Sequence, residues 1–511
     1  MFRTAELGRK VSKEEFERQA PDLRIELVDL QQALRQADFP VILVFAGVDG
    51  AGKSESMNLL NEWLDPRWIL TRAYGPASDE ERERPEYWRF WRDLPPKGRI
   101  GQFLSCWYSR PFMDLVNGAI DVATFDEYMA RVITFEKTLA DDGALILKFW
   151  MHLSKNAQKK RLKALEKDPN QSWRVTKQDW RHWEMYDSFM FAAEHLIART
   201  SVADARWSIV EGEDHPYRSL TVLYTLRDAL KHHLDRRRTL ARADLPPAIL
   251  GGGGGGVATA APPVTDGLPT VLDALDMSAT LSKGDYRKDL ARQQGRVAVL
   301  QRKARARGIS TVLVFEGWDA AGKGGSIRRL TRALDARQVT VIPVAAPTDE
   351  EQAQHYLWRF WRQLGRAGRV LVYDRSWYGR VLVERVEGFA ADTEWRRAYA
   401  EIRDFEDQLV QHGIVLCKFW LHITKDEQLD RFRRREEIPY KRWKLTDEDW
   451  RNRENWHAYT LAVNEMVERT STHFAPWTLV EANDKRHARV KVVRTVADAL
   501  EAALADGAGK T

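Results

Sequence analysis

The chain contains one sequence unit twice, at a constant spacing of 270 residues. The spacing separates three pairs of identical residues: Asp49 and Asp319, Trp107 and Trp377, and Trp207 and Trp477. Because the offset holds from about residue 40 to about residue 210 of the first copy, the duplication has no insertions over that range. Each copy has the size of a domain rather than of a solenoid repeat. The sequence therefore predicts two tandem domains of one fold.

A glycine- and proline-rich stretch separates the two copies. Residues 245–267 have the sequence LPPAILGGGGGGVATAAPPVTDG, which is typical of a flexible tether. We predict a first domain over residues 1–236, a linker over residues 237–281 and a second domain over residues 282–505.

Short apolar strands alternate with amphipathic helices in each half. In the second half the predicted strands are STVLVFEG, VTVIPVAA, RVLVYD, IVLCKFWLHI and PWTLVEA. This alternation predicts an α/β fold, with a parallel sheet covered by helices on both faces. Phosphate ligands of such sheets bind at the carboxyl ends of the strands.

The composition excludes several functional classes. A net charge of +6 over 511 residues is small, so we expect no nucleic-acid partner. The two cysteines, Cys106 and Cys417, exclude a disulfide framework and favour a reducing cytoplasm. The first residues lack the apolar core of a signal peptide, and no apolar run approaches the ~18–20 residues that span a bilayer. We therefore expect a cytoplasmic protein without a membrane partner.

A phosphate-binding loop motif occurs in both halves. GVDGAGKS at residues 47–54 matches the pattern G-x-x-x-x-G-K-[ST] fully, whereas GWDAAGKG at residues 317–324 lacks the final Ser or Thr. In the second copy, glycines allow the backbone to approach phosphate, and Lys323 adds positive charge. These glycines are Gly317, Gly322, Gly324 and Gly325. Because the missing hydroxyl is the usual Mg²⁺ ligand, Asp319 is the nearest candidate to hold the metal.

Asp374 ends the apolar strand RVLVYD, as a Walker-B metal carboxylate does. We predict that it holds the metal together with Asp319. Arg375 and Arg380 follow and are candidates to bind phosphate. The alternative for Asp374 is a helix cap or a surface acid.

A run of basic residues occupies the segment RFRRREEIPYKRWK. The candidates in this run are Arg431, Arg435, Lys441 and Lys444. We predict a mobile lid over an anionic substrate, because Pro439, Trp443 and following acids interrupt the run. The alternative is a solvated basic helix. Lys485, after the last strand, is a further phosphate-binding candidate, with an ordinary loop as its alternative.

Together these motifs resemble the polyphosphate kinase 2 family. EGWDAAGKGG, DRSWYGR, RFRRR…PYKRWKLT and NDK carry the resemblance, which covers about residues 282–495 fully and about residues 12–220 in weaker form. The resemblance implies a P-loop kinase fold with a helical lid, Mg²⁺ as cofactor, and phosphoryl transfer between inorganic polyphosphate and nucleotides. Fused two-domain members of the family, which this chain resembles most, phosphorylate AMP to ADP with polyphosphate. The implied catalytic residues are Asp319, Lys323, Asp374, Arg375 and Arg435. Ile438 departs from the Asp-Pro that many single-domain relatives carry at this point.

The half with the complete loop motif lacks the other charged residues. At the offset of 270, the replacements are Asp374 by Leu104, Arg375 by Ser105, Arg435 by Leu165, Lys441 by Gln171, Lys485 by His215, Glu316 by Ala46 and Gly325 by Glu55. The tryptophans of the scaffold are kept. We therefore predict that the second half is catalytic and the first is a structural or regulatory partner. Whether the first half binds a ligand stays open.

Two other functions remain as alternatives. The first is an ATP-dependent nucleoside monophosphate kinase, because GVDGAGKS also resembles the loop of thymidylate kinases. The second is a non-catalytic polyanion-binding protein, which would give no reason for Asp319 and Asp374 in a basic site. The sequence does not determine the oligomeric state, and a homo-oligomer is compatible with it.

Overall fold

The structure is a computed structural model, and it describes residues 1–202, 204–243, 270–438 and 446–506. Most of the predicted linker, together with Lys441 and Lys444, lies outside the described residues. The boundaries at residues 236 and 281 therefore stay a prediction.

The first half forms one sheet of five parallel strands. The strands are β1 (Val41–Gly47), β2 (Ile69–Ala73), β3 (Ile100–Leu104), β4 (Leu145–His152) and β5 (Trp207–Glu211), in the order β2-β3-β1-β4-β5. Its helices are α1 (Lys13–Leu34), α2 (Lys53–Trp63), α3 (Asp79–Arg82), α4 (Trp88–Arg92), α5 (Ser109–Val116), α6 (Val122–Asp141), α7 (Lys155–Lys167), α8 (Lys177–Glu184), α9 (Tyr186–Thr200) and α10 (His215–Ala243).

The second half repeats this topology. Its strands are β6 (Thr311–Gly317), β7 (Val339–Pro343), β8 (Val370–Asp374), β9 (Val415–His422) and β10 (Trp477–Glu481), in the order β7-β8-β6-β9-β10. Its helices are α11 (Lys283–Ala306), α12 (Lys323–Thr331), α13 (Asp349–Gln352), α14 (Trp358–Gln363), α15 (Val383–Val386), α16 (Asp392–Gln411), α17 (Lys425–Glu437), α18 (Asp447–Glu454), α19 (Trp456–Thr470) and α20 (Lys485–Asp506).

Strand registers confirm the duplication at the level of single residues. Val41 pairs with Ile100 in the first sheet, and Thr311 pairs with Val370 in the second, at positions 270 residues further on. The central strands β1 and β6 are almost wholly buried, as expected for parallel strands covered on both faces. The α/β prediction of two tandem parallel sheets is confirmed, whereas residues 439–445 of the predicted lid lie outside the described residues.

The sequence fixes several helix starts through local capping. Ser12 and Ser282 accept hydrogen bonds from the backbone N–H groups of Glu15 and Asp285, and thereby begin α1 and α11. Thr424 begins α17 in the same way. Among the described residues, no helix is long and apolar enough to cross a membrane.

The chain divides into two compact units that exchange a short segment of sequence. The first unit includes Asp349–His355 from the second half, and the second includes Ser78–Trp88 from the first half. Within the second unit, Arg84 Nε donates to the carbonyl oxygen of Leu364 at 2.8 Å. Each unit therefore contains a piece of the other repeat.

Candidate active site

The loop between β6 and α12 requires glycine at its first position. Gly317 has φ of +147°, and a Cβ there would lie 2.5 Å from the carbonyl oxygen of Leu421 on β9. Gly322, with φ of +110°, precedes the first residue of α12, and no described atom lies within 4 Å of the place its Cβ would take. Lys323 Nζ donates to the carbonyl oxygen of Gly317 at 2.5 Å. The loop thus presents backbone N–H groups, a helix N-terminus and a lysine beside open space, which is an arrangement that binds phosphate.

Asp374 and Arg375 lie at the carboxyl end of β8, next to this loop. Asp374 pairs with Phe315 of β6, two residues before Gly317. Arg375 has φ of +65°, a left-handed conformation that non-glycine residues seldom adopt. Its backbone N–H donates to the carbonyl oxygen of Phe315 at 3.0 Å, which holds this turn against the central strand. Such strained positions occur often at functional sites.

Arg375 lies among acids. Its guanidinium is 3.4 Å from Asp319 Oδ1 and 3.5 Å from Glu448 Oε1. Burial lowers the pKa of Arg375, but the charges of Asp319, Glu448, Glu316 and Asp374 outweigh this effect and raise it. The structure thus brings Asp319, Asp374 and Arg375 together at the loop, as the sequence predicted for the site.

Asp319 is oriented by residues that the motif search did not single out. Asn452 Nδ2 on α18 donates to Asp319 Oδ2 at 2.8 Å. Tyr459 on α19 donates in turn to Asn452 Oδ1 at 3.1 Å. Asn452 corresponds to His182 in the first half, so a comparison of the two repeats at all polar positions would have found it.

Glu316 is a further carboxyl at the site. It is only 5% exposed at the end of β6, and Ser376 Oγ donates to Glu316 Oε1 at 2.8 Å. Burial raises its pKa, although Ser376, Lys323 and Arg375 oppose that effect. The first half has Ala46 and Cys106 in place of Glu316 and Ser376, so the pair belongs to the second half alone.

The carboxylates at the loop fit a divalent cation that substrate phosphates help to bind. No group of three or more His, Cys, Asp or Glu side chains that could enclose a metal occurs in the described part of the chain. Mg²⁺, however, usually binds through one or two carboxylates together with substrate phosphates and water. The Asp374 carboxylate accepts no hydrogen bond from any residue that the structure describes, and Asp319 lies within the loop, near the same arginine, Arg375. Two carboxylates beside an open phosphate loop fit Mg²⁺.

The remaining basic candidates fall into different surroundings. Arg431 is buried, and its guanidinium donates to the carbonyl oxygens of Ala320, Ala321, Ala482 and Asn483 and pairs with Glu427. Lys485, the first residue of α20, lies near Arg431, Arg434 and Arg489; partial desolvation and these positive charges lower its pKa to about 8. Arg435 lies near Arg431 and Asp449. Their role as phosphate ligands stays a prediction.

The ion-pair partners of Arg380 lie on α15 and α16. Arg380 contacts Glu384 at 3.1 Å, Glu394 at 3.9 Å and the ring of Tyr356 at 4.6 Å. Burial raises the pKa of Glu384, although Arg380 opposes that effect. Among the described residues, its ion-pair partners do not include Asp319 or Asp374, and its role as a phosphate ligand also stays a prediction.

A sequence profile of the polyphosphate kinase 2 family matches residues 10–238 and again residues 280–507. The chain belongs to the polyphosphate kinase 2 family. A Pseudomonas aeruginosa protein named polyphosphate:AMP phosphotransferase is 51% identical over 506 residues, which are 98% of this chain and 99% of the relative. A protein of the same name from Pseudomonas syringae pv. tomato is 47% identical over 507 residues, 99% of each chain. A crystal structure described as polyphosphate kinase 2 from Pseudomonas aeruginosa matches with a TM-score of 0.86 and 48% identity, covering 98% of this chain and 99% of its own.

The two polyphosphate kinase 2 repeats differ in the partners of the loop aspartate and in the residue that ends the neighbouring strand. In the first repeat, Lys53 Nζ donates to the carbonyl oxygen of Gly47 at 2.7 Å, as its counterpart does in the second. Asp49 pairs with Lys53 at 3.4 Å and with His182 at 2.7 Å. Burial raises the pKa of Asp49, but Lys53 and His182 outweigh this effect and lower it to about 2. The position of Asp374 is taken by Leu104, so the first repeat lacks the second carboxylate at the strand end.

Proposed function

We propose that this chain transfers the terminal phosphoryl group of inorganic polyphosphate to AMP. A phosphate oxygen of AMP attacks the terminal phosphorus, the bridging P–O bond breaks, and ADP and a polyphosphate shortened by one unit result. The observation that carries the proposal is the second-half site, where an open phosphate loop adjoins Asp319, Asp374 and Arg375. The names of full-length relatives support the choice of donor and acceptor.

The second half provides positioning and charge for this reaction. The loop amides and Lys323 bind the donor phosphates, and Arg375 neutralises charge that develops on the transferred group. Asn452 holds Asp319 in one orientation, and Tyr459 in turn orients Asn452 through a hydrogen bond. Arg431 stabilises the conformation of the loop by donating hydrogen bonds to the carbonyl oxygens of Ala320 and Ala321. The AMP phosphate is already anionic at neutral pH, so the reaction needs no strong general base.

We assign the metal of this reaction as Mg²⁺, held by Asp319 and Asp374. Bound Mg²⁺ supplies charge neutralisation and orientation of the phosphate oxygens. Arg435 and the basic residues near it contact the polyanion, by analogy with arginine residues that stabilise phosphoryl transfer elsewhere. We expect neither a nucleic-acid nor a membrane partner, and the reaction is proposed for the cytoplasm.

A donor and acceptor assay tests this proposal against its two rivals. AMP, ADP and GMP are each incubated with inorganic polyphosphate and Mg²⁺, and in parallel with ATP as donor, and the products are separated. The proposal expects ADP from AMP with polyphosphate. Faster transfer from ATP would make the protein an ATP-dependent nucleoside monophosphate kinase. Tight polyphosphate binding without any transfer by the folded protein would make it a polyanion-binding protein.

A further inference from the structure

The loop of the first half is covered by a carboxylate from its own helix. Glu55 lies in the first turn of α2, and three arginines hold its side chain. Arg218 donates to Glu55 Oε2 at 2.5 Å, and Arg161 and Arg174 donate to Glu55 Oε1 at 2.8 Å and 3.1 Å. Arginines that converge on one anion in this way are typical of phosphate sites. Here the anion is part of the protein.

Arg218 fills the space that is open in the second half. A Cβ at Gly52 would lie 2.2 Å from the Arg218 guanidinium carbon and 2.5 Å from its Nε. At Gly322, the corresponding glycine, no described atom lies within 4 Å of that place. The two loops have the same backbone plan, since Gly52 and Gly322 both adopt a left-handed conformation immediately before the helix. The two loops therefore share a backbone conformation and differ in the side chains that lie against it.

Two residues that contact each other in the first half, Glu55 and Arg218, are both replaced in the second half. Glu55 corresponds to Gly325, and Arg218 corresponds to Ala488, so the second half lacks both the carboxylate and its most buried partner. Arg161 corresponds to Arg431, which in the second half binds loop carbonyls instead. In the second half an arginine one residue further along α20, Arg489, lies 3.4 Å through Nη2 from the place that a Cβ of Gly325 would take. The first half therefore differs by an added acid, and by an arginine that reaches back to Gly52.

The three arginines around Glu55 carry more positive charge than the Glu55 carboxylate neutralises. Arg218 is 2% exposed, and its Nε has no hydrogen-bond partner among the described residues. Apart from the Glu55 cluster, the charged or titratable groups near Arg218 are Asp214, immediately before α10, and His215, the first residue of α10. Burial raises the pKa of Glu55, but Arg218, Arg161 and Arg174 outweigh this effect and lower it, so the carboxylate stays ionised. Three arginines thus converge on a carboxylate with one negative charge, which is less than a phosphate group carries, and Asp214 is the other acid near Arg218.

We propose that the Glu55 carboxylate takes the place of a phosphate group in the first half, so that this half is an anion site closed by the protein itself. Removal of the carboxylate opens a site for the end of an inorganic di- or polyphosphate, formed by Arg161, Arg174, Arg218, Lys53 and the loop amides. The first half is thus kept from competing with the second half for polyphosphate.

Binding of inorganic pyrophosphate to the full chain tests this proposal. All variants carry Lys323→Ala, which weakens binding in the second half, and isothermal titration calorimetry measures the sites that remain. Glu55→Gly, which introduces the residue of the second half, is expected to bind pyrophosphate at least about tenfold more tightly than its parent, since it frees three arginines. Addition of Arg218→Ala to this variant is expected to abolish the gain.

Glu62→Gly is the matched control, because it removes the same charge from an exposed position on the same helix. Glycine weakens helices, so Glu55→Ala with the control Glu62→Ala repeats the test if Glu55→Gly does not fold. A folded Glu55 variant that binds pyrophosphate no better than its parent would overturn the proposal, as would an equal gain in the Glu62 variants. This experiment measures binding rather than turnover. A negative result would therefore contradict the proposal for the first half without bearing on the reaction proposed for the second half.

Discussion

At the scale of single residues, the activity proposed for the second half depends on two side chains, Asp374 and Arg375, that have no equivalent in the first half. Asp374 and Arg375 leave β8 at a strained turn, whereas Leu104 and Ser105 leave β3 at the same turn, with φ of +52° at Ser105. The left-handed turn therefore forms both with the charges of the second half and without them. The chemistry was decided by side chains placed on a shared scaffold.

Asp374→Asn is expected to lower kcat at least about 10²-fold, because loss of a metal carboxylate costs several kcal/mol in the transition state. The initial rate of ADP formation measures the loss, and circular dichroism checks the fold. Asp392→Asn, at a carboxylate that is 72% exposed at the start of α16, is the control and is expected to keep the rate. Normal turnover by folded Asp374→Asn would remove this residue from the mechanism.

We expect Asp49 to make the free energy of unfolding of the first half depend on pH below about pH 4. Its pKa is lowered to about 2 from the ordinary 3.8, so its contribution is present above about pH 4 and is lost as the pH falls toward 2. Asp49→Asn is expected to lower the free energy of unfolding by about 2 kcal/mol at pH 5 and by almost nothing at pH 2. Thermal unfolding across this pH range measures the difference. The control is Asp187→Asn, at a carboxylate that is 87% exposed and is expected to change stability little at either pH. A deficit of equal size at both pH values would contradict the assigned cause.

At the scale of elements, the strand, loop and helix that bind phosphate occur twice and have different surroundings. Gly317 and Gly47 both approach the neighbouring strand so closely that any side chain would collide with it. Lys323 and Lys53 both donate to the first carbonyl of their loop. The two loops differ at the glycine before the helix, where Arg218 approaches Gly52 and no described side chain approaches Gly322. They also differ at the end of the neighbouring strand, where β8 ends in Asp374 and β3 ends in Leu104.

The two loop lysines should therefore differ in their importance. Lys323→Ala is expected to lower turnover at least about 10²-fold, whereas Lys53→Ala is expected to keep most activity, because a loop lysine assists transfer only beside a metal site. Each substitution is the matched control of the other, since both remove the same side chain from the same position of the motif. If Lys53→Ala inactivates a folded protein and Lys323→Ala does not, the active site has been assigned to the wrong half.

At the scale of the whole molecule, the duplicated halves are not independent segments of sequence. Ser78–Trp88 belongs to the unit that contains the candidate active site. In that unit Arg366 pairs with Glu83 at 2.7 Å, and Arg84 donates to Leu364 and lies 4.2 Å from the ring of Trp88. A chain without residues 1–236 would lack these contacts even though every proposed catalytic residue remained. The first half therefore contributes residues to the unit that contains the candidate active site.

Arg84→Ala tests the contribution of the exchanged segment. The substitution removes a buried charge-assisted hydrogen bond to Leu364, and we expect it to lower the free energy of unfolding by about 2 kcal/mol. Calorimetric unfolding of the full chain measures the effect. Arg302→Ala, at an exposed position on α11, is the control and should unfold as the parent does. Unchanged unfolding of Arg84→Ala would mean that the segment adds no stability.

Sequence alone determined the features that depend on local pattern and on comparison of the two repeats. The alternation of apolar strands and helices gave the two parallel sheets, and the offset of 270 gave their common register. The motif at Gly317 and the strand end at Asp374 predicted a site at this edge of the sheet, because glycine and a terminal carboxylate have few other reasons to occur there. Such information is local, since it depends on neighbours in the chain.

Tertiary structure alone decided which distant side chains meet. Asn452 orients Asp319 across 133 residues of sequence, and Arg431 turned out to bind loop carbonyls rather than to project freely from a basic helix. The closure of the first loop by Glu55 depends on arginines from the α7 region, the following turn and α10, which no spacing rule brings together. The exchange of Ser78–Trp88 is likewise a property of packing. Contacts between residues far apart in the chain depend on how helices pack on the sheet, and a single sequence does not encode that packing in any local pattern.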